Sequence, residues 1–98
     1  MSKSNVYVVA DLFIVADKVS QVKQTLQELI DETRKSEGCI KYELFQNIND
    51  KHQLTFIEQW ESEETLDKHT QSEYLKAAQD KIKDALTKPP DVKRYKHT

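Results

Sequence analysis

Ten residues near the start of the chain, Val6–Val15, are apolar at every position except Asp11. The run is rich in β-branched and aromatic side chains and is too short for a core helix, so it predicts a strand. Its alternate faces carry Val6, Val8, Ala10, Leu12 and Ile14 on one side and Tyr7, Val9, Asp11, Phe13 and Val15 on the other. Helices laid on one side of a sheet cover only one such face, and a soluble chain does not leave a row of large apolar side chains in water. A second copy of the chain is the simplest cover, which predicts a homodimer packed sheet to sheet. The expected contact face is the one bearing Val8, Ala10 and Leu12.

The remaining segments alternate between helical and strand periodicity. Val19, Val22, Leu26, Leu29, Ile30 and Thr33 recur at three- and four-residue steps, predicting a helix capped by Asp17 or Ser20 and reaching Lys35. Gly38, the one glycine, is expected to close that helix in a left-handed conformation. Cys39–Gln46 alternates Ile40, Tyr42 and Leu44 against Lys41 and Glu43, and Gln53–Glu61 returns beside it after a turn at Asn47–Lys51. Ser62 before Glu63 and Glu64 marks a helix start. Leu66, Tyr74, Leu75, Ala78, Ile82 and Leu86 carry one or two helices as far as Thr87, where Pro89 and Pro90 stop them. Asp91–Lys96 can form a last strand. The order βαββαβ with an antiparallel sheet is the α+β, ferredoxin-like arrangement. It spans residues 1–98 as one domain, with its core over 5–96.

Composition narrows the function classes. Fifteen basic and seventeen acidic side chains leave a net charge of −2, which offers no footprint for a nucleic-acid backbone or an anionic membrane. One glycine excludes glycine-rich phosphate loops, and one cysteine excludes internal disulfides and Cys-rich zinc sites. No apolar run approaches the roughly 18 residues of a membrane span. These features lead us to expect a soluble, cytoplasmic protein with no required cofactor or metal.

Few residues are left to carry chemistry. His69 follows Leu66 by three positions on a helix, on or beside its buried side, whereas His52 and His97 are expected in solvent. In the strand Leu54–Glu61 the more apolar face bears Leu54, Phe56, Glu58 and Trp60, which puts the Glu58 carboxylate inside between two aromatics. A buried carboxylate needs a partner or takes up a proton, and Asp11 raises the same question. Tyr42, Phe56, Trp60 and Tyr74 either line a cavity or fill the core. Cys39 reads as an inert thiol, and Asp67 and Glu73 read as solvated helix charges that give His69 no fellow metal ligand.

Three segments, EGCIKYELF (Glu37–Phe45), FIEQWES (Phe56–Ser62) and LDKHTQSEYLKAA (Leu66–Ala78), combine Glu-Gly-Cys-x-x-Tyr, then Glu-x-Trp, then a His nine residues beyond the Trp. In that combination the chain resembles the antibiotic biosynthesis monooxygenase domain family, above all its small quinol-monooxygenase-like members. The resemblance implies a dimeric α/β barrel with a pocket between sheet and helices. It implies oxidation of a quinol or another phenolic or enolic small molecule by O2, with no cofactor. It also implies functional positions at Trp60 and His69, with Glu58 and Tyr42 beside them. On that reading His69 is the base, Trp60 is an aromatic wall, and Glu58 orients the imidazole or acts through water. Tyr42, Phe56, Tyr74 and Asp11 are the expected substrate contacts. Haem-degrading relatives resemble one another in a first-strand Asn and a helix His, where this chain has Asp11 and Gln79. Isomerisation of a small phosphorylated dione, of the autoinducer-2 degradation type, needs basic residues, for which Lys41, Lys68 and Lys76 are the candidates. Outside enzymes, the alternative is a ligand-binding barrel without turnover.

Overall fold

The computed structural model describes residues 4–98. Strand β1 (Val6–Phe13) leads through a 3-10 turn (Ala16–Lys18) into helix α1 (Val19–Thr33). The hairpin β2 (Cys39–Asn47) and β3 (Asp50–Trp60) follows, then α2 (Glu63–Thr70), α3 (Glu73–Ile82), a second 3-10 turn (Lys83–Ala85) and β4 (Asp91–Tyr95). The strands form one antiparallel sheet in the order β2-β3-β1-β4, with the helices over one face, the expected ferredoxin-like α+β fold.

Local chemistry explains most boundaries. The hairpin turns on two short polar side chains: Asn47 Oδ1 accepts from the Asn49 N–H at 2.8 Å and Asp50 Oδ1 from the His52 N–H at 3.0 Å. Ser62 caps α2 by accepting from the Thr65 N–H at 3.2 Å, and Ser72 caps α3 by accepting from the Leu75 N–H at 3.3 Å. Helix α1 differs from expectation. Asp17 lies in the preceding 3-10 turn and Ser20 inside the helix, so neither caps it. Its stability comes instead from burying Val22, Leu26, Leu29 and Ile30.

Gly38 also differs. The helix already ends at its C-cap Arg34, and Gly38 instead opens β2 with φ +82°. Its carbonyl accepts from the Glu61 N–H at 2.8 Å, and a Cβ at this position would overlap the Thr65 side chain. Both the backbone conformation and the close approach require glycine there.

Cross-strand register decides which face of the sheet is inside. Tyr42, Glu58, Val8 and Arg94 form one row across the four strands, and Leu44, Phe56, Ala10 and Val92 form the next. These rows face the helices. Val8, Ala10 and Leu12 are therefore buried beneath α1 and α3, which overturns their assignment to a contact between two copies. The other side of β1 carries the open face: Tyr7, Val9, Asp11 and Phe13 are half-buried, flanked by Ile57, Phe45 and Tyr95 at 45%, 48% and 49% exposure. Both faces of β1 are apolar, so this strand alone cannot say which is which; pairing with β3, whose two faces differ, settles it. A register shift between Cys39 and Lys41 turns Ile40 outward, although its strand pattern points inward. Among the described residues no helix is long and apolar enough to cross a membrane.

Candidate active site

The sheet and the helices do not close completely on one another. Between them lies a cavity of about 390 Å³ whose wall is mostly aliphatic, from side chains such as Leu12, Leu26, Leu29, Leu75 and Ile82. The ionisable or polar side chains that reach it are few: Tyr42, Glu58, His69, Thr70, Gln79, Lys83 and Arg94.

Glu58 comes from the middle of β3, where alternation points it inward, and it is 5% exposed. Its Oε1 accepts a hydrogen bond from Trp60 Nε1 at 2.9 Å. Burial pushes its pKa up to about 7, with the Trp60 hydrogen bond and the Arg94 charge pulling the other way. A carboxyl in that state is divided between its acid and its base near neutral pH.

His69 comes from the last turn of α2, where Leu66 and Thr65 share its buried side. Burial lowers its pKa to about 4, so the imidazole is neutral at pH 7. Its Nδ1 lies 3.1 Å from Tyr74 Oη, and that hydroxyl lies 2.5 Å from Ser36 Oγ. The ring packs on Trp60 at 4.7 Å between centroids and meets Tyr42 edge-on at 5.5 Å. Tyr42 itself stacks on Phe56 at 4.7 Å, and burial, with the Glu58 charge second, pushes its phenol well above the usual range. Tyr42 is therefore a protonated phenol on the wall and not a base.

The structure brings Tyr42, Phe56, Glu58 and His69 together on the cavity wall. Trp60 and Tyr74 stand behind them: Trp60 is completely buried, holding Glu58 and backing His69, and Tyr74 holds the imidazole nitrogen. Glu58 and His69 thus have separate partners, and the imidazole is oriented by Tyr74 in place of Glu58. Asp11 does not join the site. It lies on the opposite face of the sheet, accepting from Thr55 Oγ1 at 2.6 Å and Gln53 Nε2 at 3.2 Å. Lys41, Lys68 and Lys76 are exposed and off the wall, whereas Gln79 is on it. Asp67 is less solitary than its pattern says, since its Oδ1 accepts from Arg94 Nη1 at 2.8 Å. Cys39 is half-buried, and burial raises its thiol pKa. Among the described residues no three His, Cys, Asp or Glu side chains gather as metal ligands would.

Ser36, Lys83 and Arg94 escaped the sequence reading. Arg94 sits in a five-residue strand dominated by charged side chains, so only its pairing with Val8 shows that it faces inward.

Residues 5–81 match the sequence profile of the family described as Antibiotic biosynthesis monooxygenase. The chain belongs to that family. A conserved protein from Methanosarcina mazei Go1 is 30% identical and superposes with a TM-score of 0.94, over 98% of this chain and 95% of that one. The Bacillus subtilis protein named Putative monooxygenase YcnE is 26% identical over 78 residues, 80% of this chain and 82% of its own. A Synechocystis protein named Uncharacterized protein sll1783 is 29% identical over 91 residues, which are 93% of this chain but only 62% of that longer protein. Within this family's fold, the Glu58 carboxyl and the His69 imidazole share the wall of one partly open cavity.

Proposed function

We propose that the chain is a monooxygenase that oxidises a quinol or another phenolic or enolic small molecule with O2 and no cofactor. The observation that carries this reading is Glu58, a carboxyl with a pKa of about 7 on the wall of an apolar cavity. O2 takes electrons from an electron-rich anion far more readily than from a neutral phenol, so the protein's first task is to remove a proton. Glu58 suits that task better than His69, whose conjugate acid at about 4 makes it the weaker acceptor.

In this account the Glu58 carboxylate takes the hydroxyl proton, and the neutral His69 hydrogen-bonds the resulting oxyanion or the bound oxygen. Electrons pass from the substrate anion to O2, a carbon–oxygen bond forms, and the O–O bond breaks as the C–H proton leaves. One oxygen atom stays on the ring as a quinone carbonyl and the other leaves as water, protonated in part by Glu58. The substrate supplies all four electrons. Aliphatic walls limit the solvent that could reprotonate the anion.

We also propose a homodimer, now through the face bearing Tyr7, Val9, Phe13 and Ile57, because that is where apolar side chains remain uncovered. Oxygen uptake with a panel of hydroquinones tests the activity. Ligand binding with no uptake would identify a binding barrel instead.

A further inference from the structure

The cavity wall is mostly aliphatic, and charged side chains reach it at only a few points. Glu58 and His69 lie on its wall, and among the described residues the cations that reach it are Lys83 and Arg94. Glu58, Val8 and Arg94 are adjacent members of one cross-strand row, all facing the helices. Two strand spacings therefore separate the backbone origins of the acid and the guanidinium, on the order of 10 Å. Both side chains line the cavity, so a ligand lying along this row meets both.

Arg94 is only partly committed. Its Nη1 donates to Asp67 Oδ1 at 2.8 Å, in a pair whose side chains are 38% and 55% exposed. An ion pair that open to water binds weakly, and it uses one donor of a group that has five. Lys83 stands at the same wall with its Nζ 3.6 Å from Asp80 Oδ1, also in an exposed pair. A guanidinium at the mouth of an apolar slot is a planar fork that matches a carboxylate.

We propose that the substrate carries a carboxylate that docks on Arg94, with Lys83 a second cation on the same cavity wall, while its ionising hydroxyl reaches Glu58. This rests on the oxidation reading above and narrows its substrate class. The arrangement orients the ligand: the carboxylate is drawn to the cations and repelled from the Glu58 end, so the hydroxyl must enter first. Asp67 then acts as a placeholder that the incoming carboxylate displaces or joins.

Binding is measured by calorimetry without oxygen, so that it is independent of turnover. The probes are protocatechuate, whose carboxylate lies para to one hydroxyl, its methyl ester, and para-hydroxyphenyl phosphate. The acid should bind at least about 10-fold more tightly than the ester, the preference should vanish in Arg94→Gln and survive in part in Arg94→Lys, and Asp67→Asn should tighten the acid alone. Equal affinity for acid and ester, no binding of the acid at millimolar concentration, or a preference for the phosphate ester would each overturn the proposal. Oxygen uptake with unsubstituted hydroquinone, measured separately, reports on the oxidation reading by itself.

Discussion

Trp60 donates its indole N–H to Glu58 across 2.9 Å, so two side chains of one strand, both inside the protein, satisfy each other at the edge of the cavity. That bond favours the ionised carboxyl and opposes the burial that raises its pKa to about 7. Replacing the indole by Trp60→Phe keeps an aromatic in place and removes the donor. The rising limb of the pH–rate profile, expected at about 7 from the Glu58 pKa, should then move alkaline. A profile that does not move would show that Glu58 is not the group being titrated.

Glu58 should also leave a signature in stability. Its folded pKa of about 7 stands above the ordinary 4.5, so its contribution is fully present below pH 4.5 and is lost as pH rises through 7. The cost of ionising it inside is about 3 kcal/mol on the alkaline side. His69 works the other way: its pKa falls from 6.5 to about 4, so stability present above pH 6.5 is lost as pH drops through 4. Between those limits the two trends oppose each other. Glu58→Gln keeps an oxygen for Trp60 and removes the ionisation. It should raise the melting temperature at pH 8 and change it little at pH 4, while lowering turnover by about 10²–10⁴-fold.

The contacts from Ser36 to Tyr74 to His69 act on the imidazole from behind, at 2.5 and 3.1 Å. Tyr74→Phe frees Nδ1 and lets the tautomer and ring orientation vary. The expected result is a fall in kcat of about 10-fold with KM nearly unchanged, and altered imidazole nitrogen shifts by NMR. Unaltered shifts with lost activity would mean that Tyr74 acts on the substrate directly.

Gly38 offers a test of the fold alone. Gly38→Ala meets both a positive φ and the Thr65 side chain, and should cost about 1–3 kcal/mol in a denaturant titration. The double variant with Thr65→Ser relieves part of the overlap and should recover part of the loss.

The open sheet face predicts its own experiment. Val9 and Ile57 are paired at its centre, so Val9→Lys should shift sedimentation to the monomer with the fold retained. The replacement Ala10→Lys, on the buried face, should unfold the chain. A wild-type chain that sediments as a folded monomer at micromolar concentration contradicts the dimer.

How much of this was legible before the structure depended on the contrast between neighbouring residues. Strand β3 alternates two clearly different faces, so the inward placement of Glu58 and Trp60 followed directly from the sequence. Strand β1 is apolar on both sides, so its orientation does not follow from its own residues, and only the pairing with β3 puts Val8, Ala10 and Leu12 under the helices. Alternation also reports direction and not depth. It put Trp60 inside but could not tell the wall of a cavity from the layer behind it. His69 was legible from its helix stripe, whereas the depression of its pKa comes from neighbours on other elements. Asp11 looked buried because the residues around it are apolar, yet its face is the one the helices leave uncovered. Arg94 had no pattern to mark it, because five residues of β4 are too few for a period and their character is set by charge.

Oxygen consumption by the purified protein with a hydroquinone, followed from pH 5 to pH 9 alongside Glu58→Gln, tests the central claim most directly. The account predicts uptake that rises with pH through about 7 in the intact protein, one oxygen atom of labelled O2 recovered in the quinone product, and loss of the rise in the variant. Uptake that is pH-independent, or equally fast in Glu58→Gln, would contradict it.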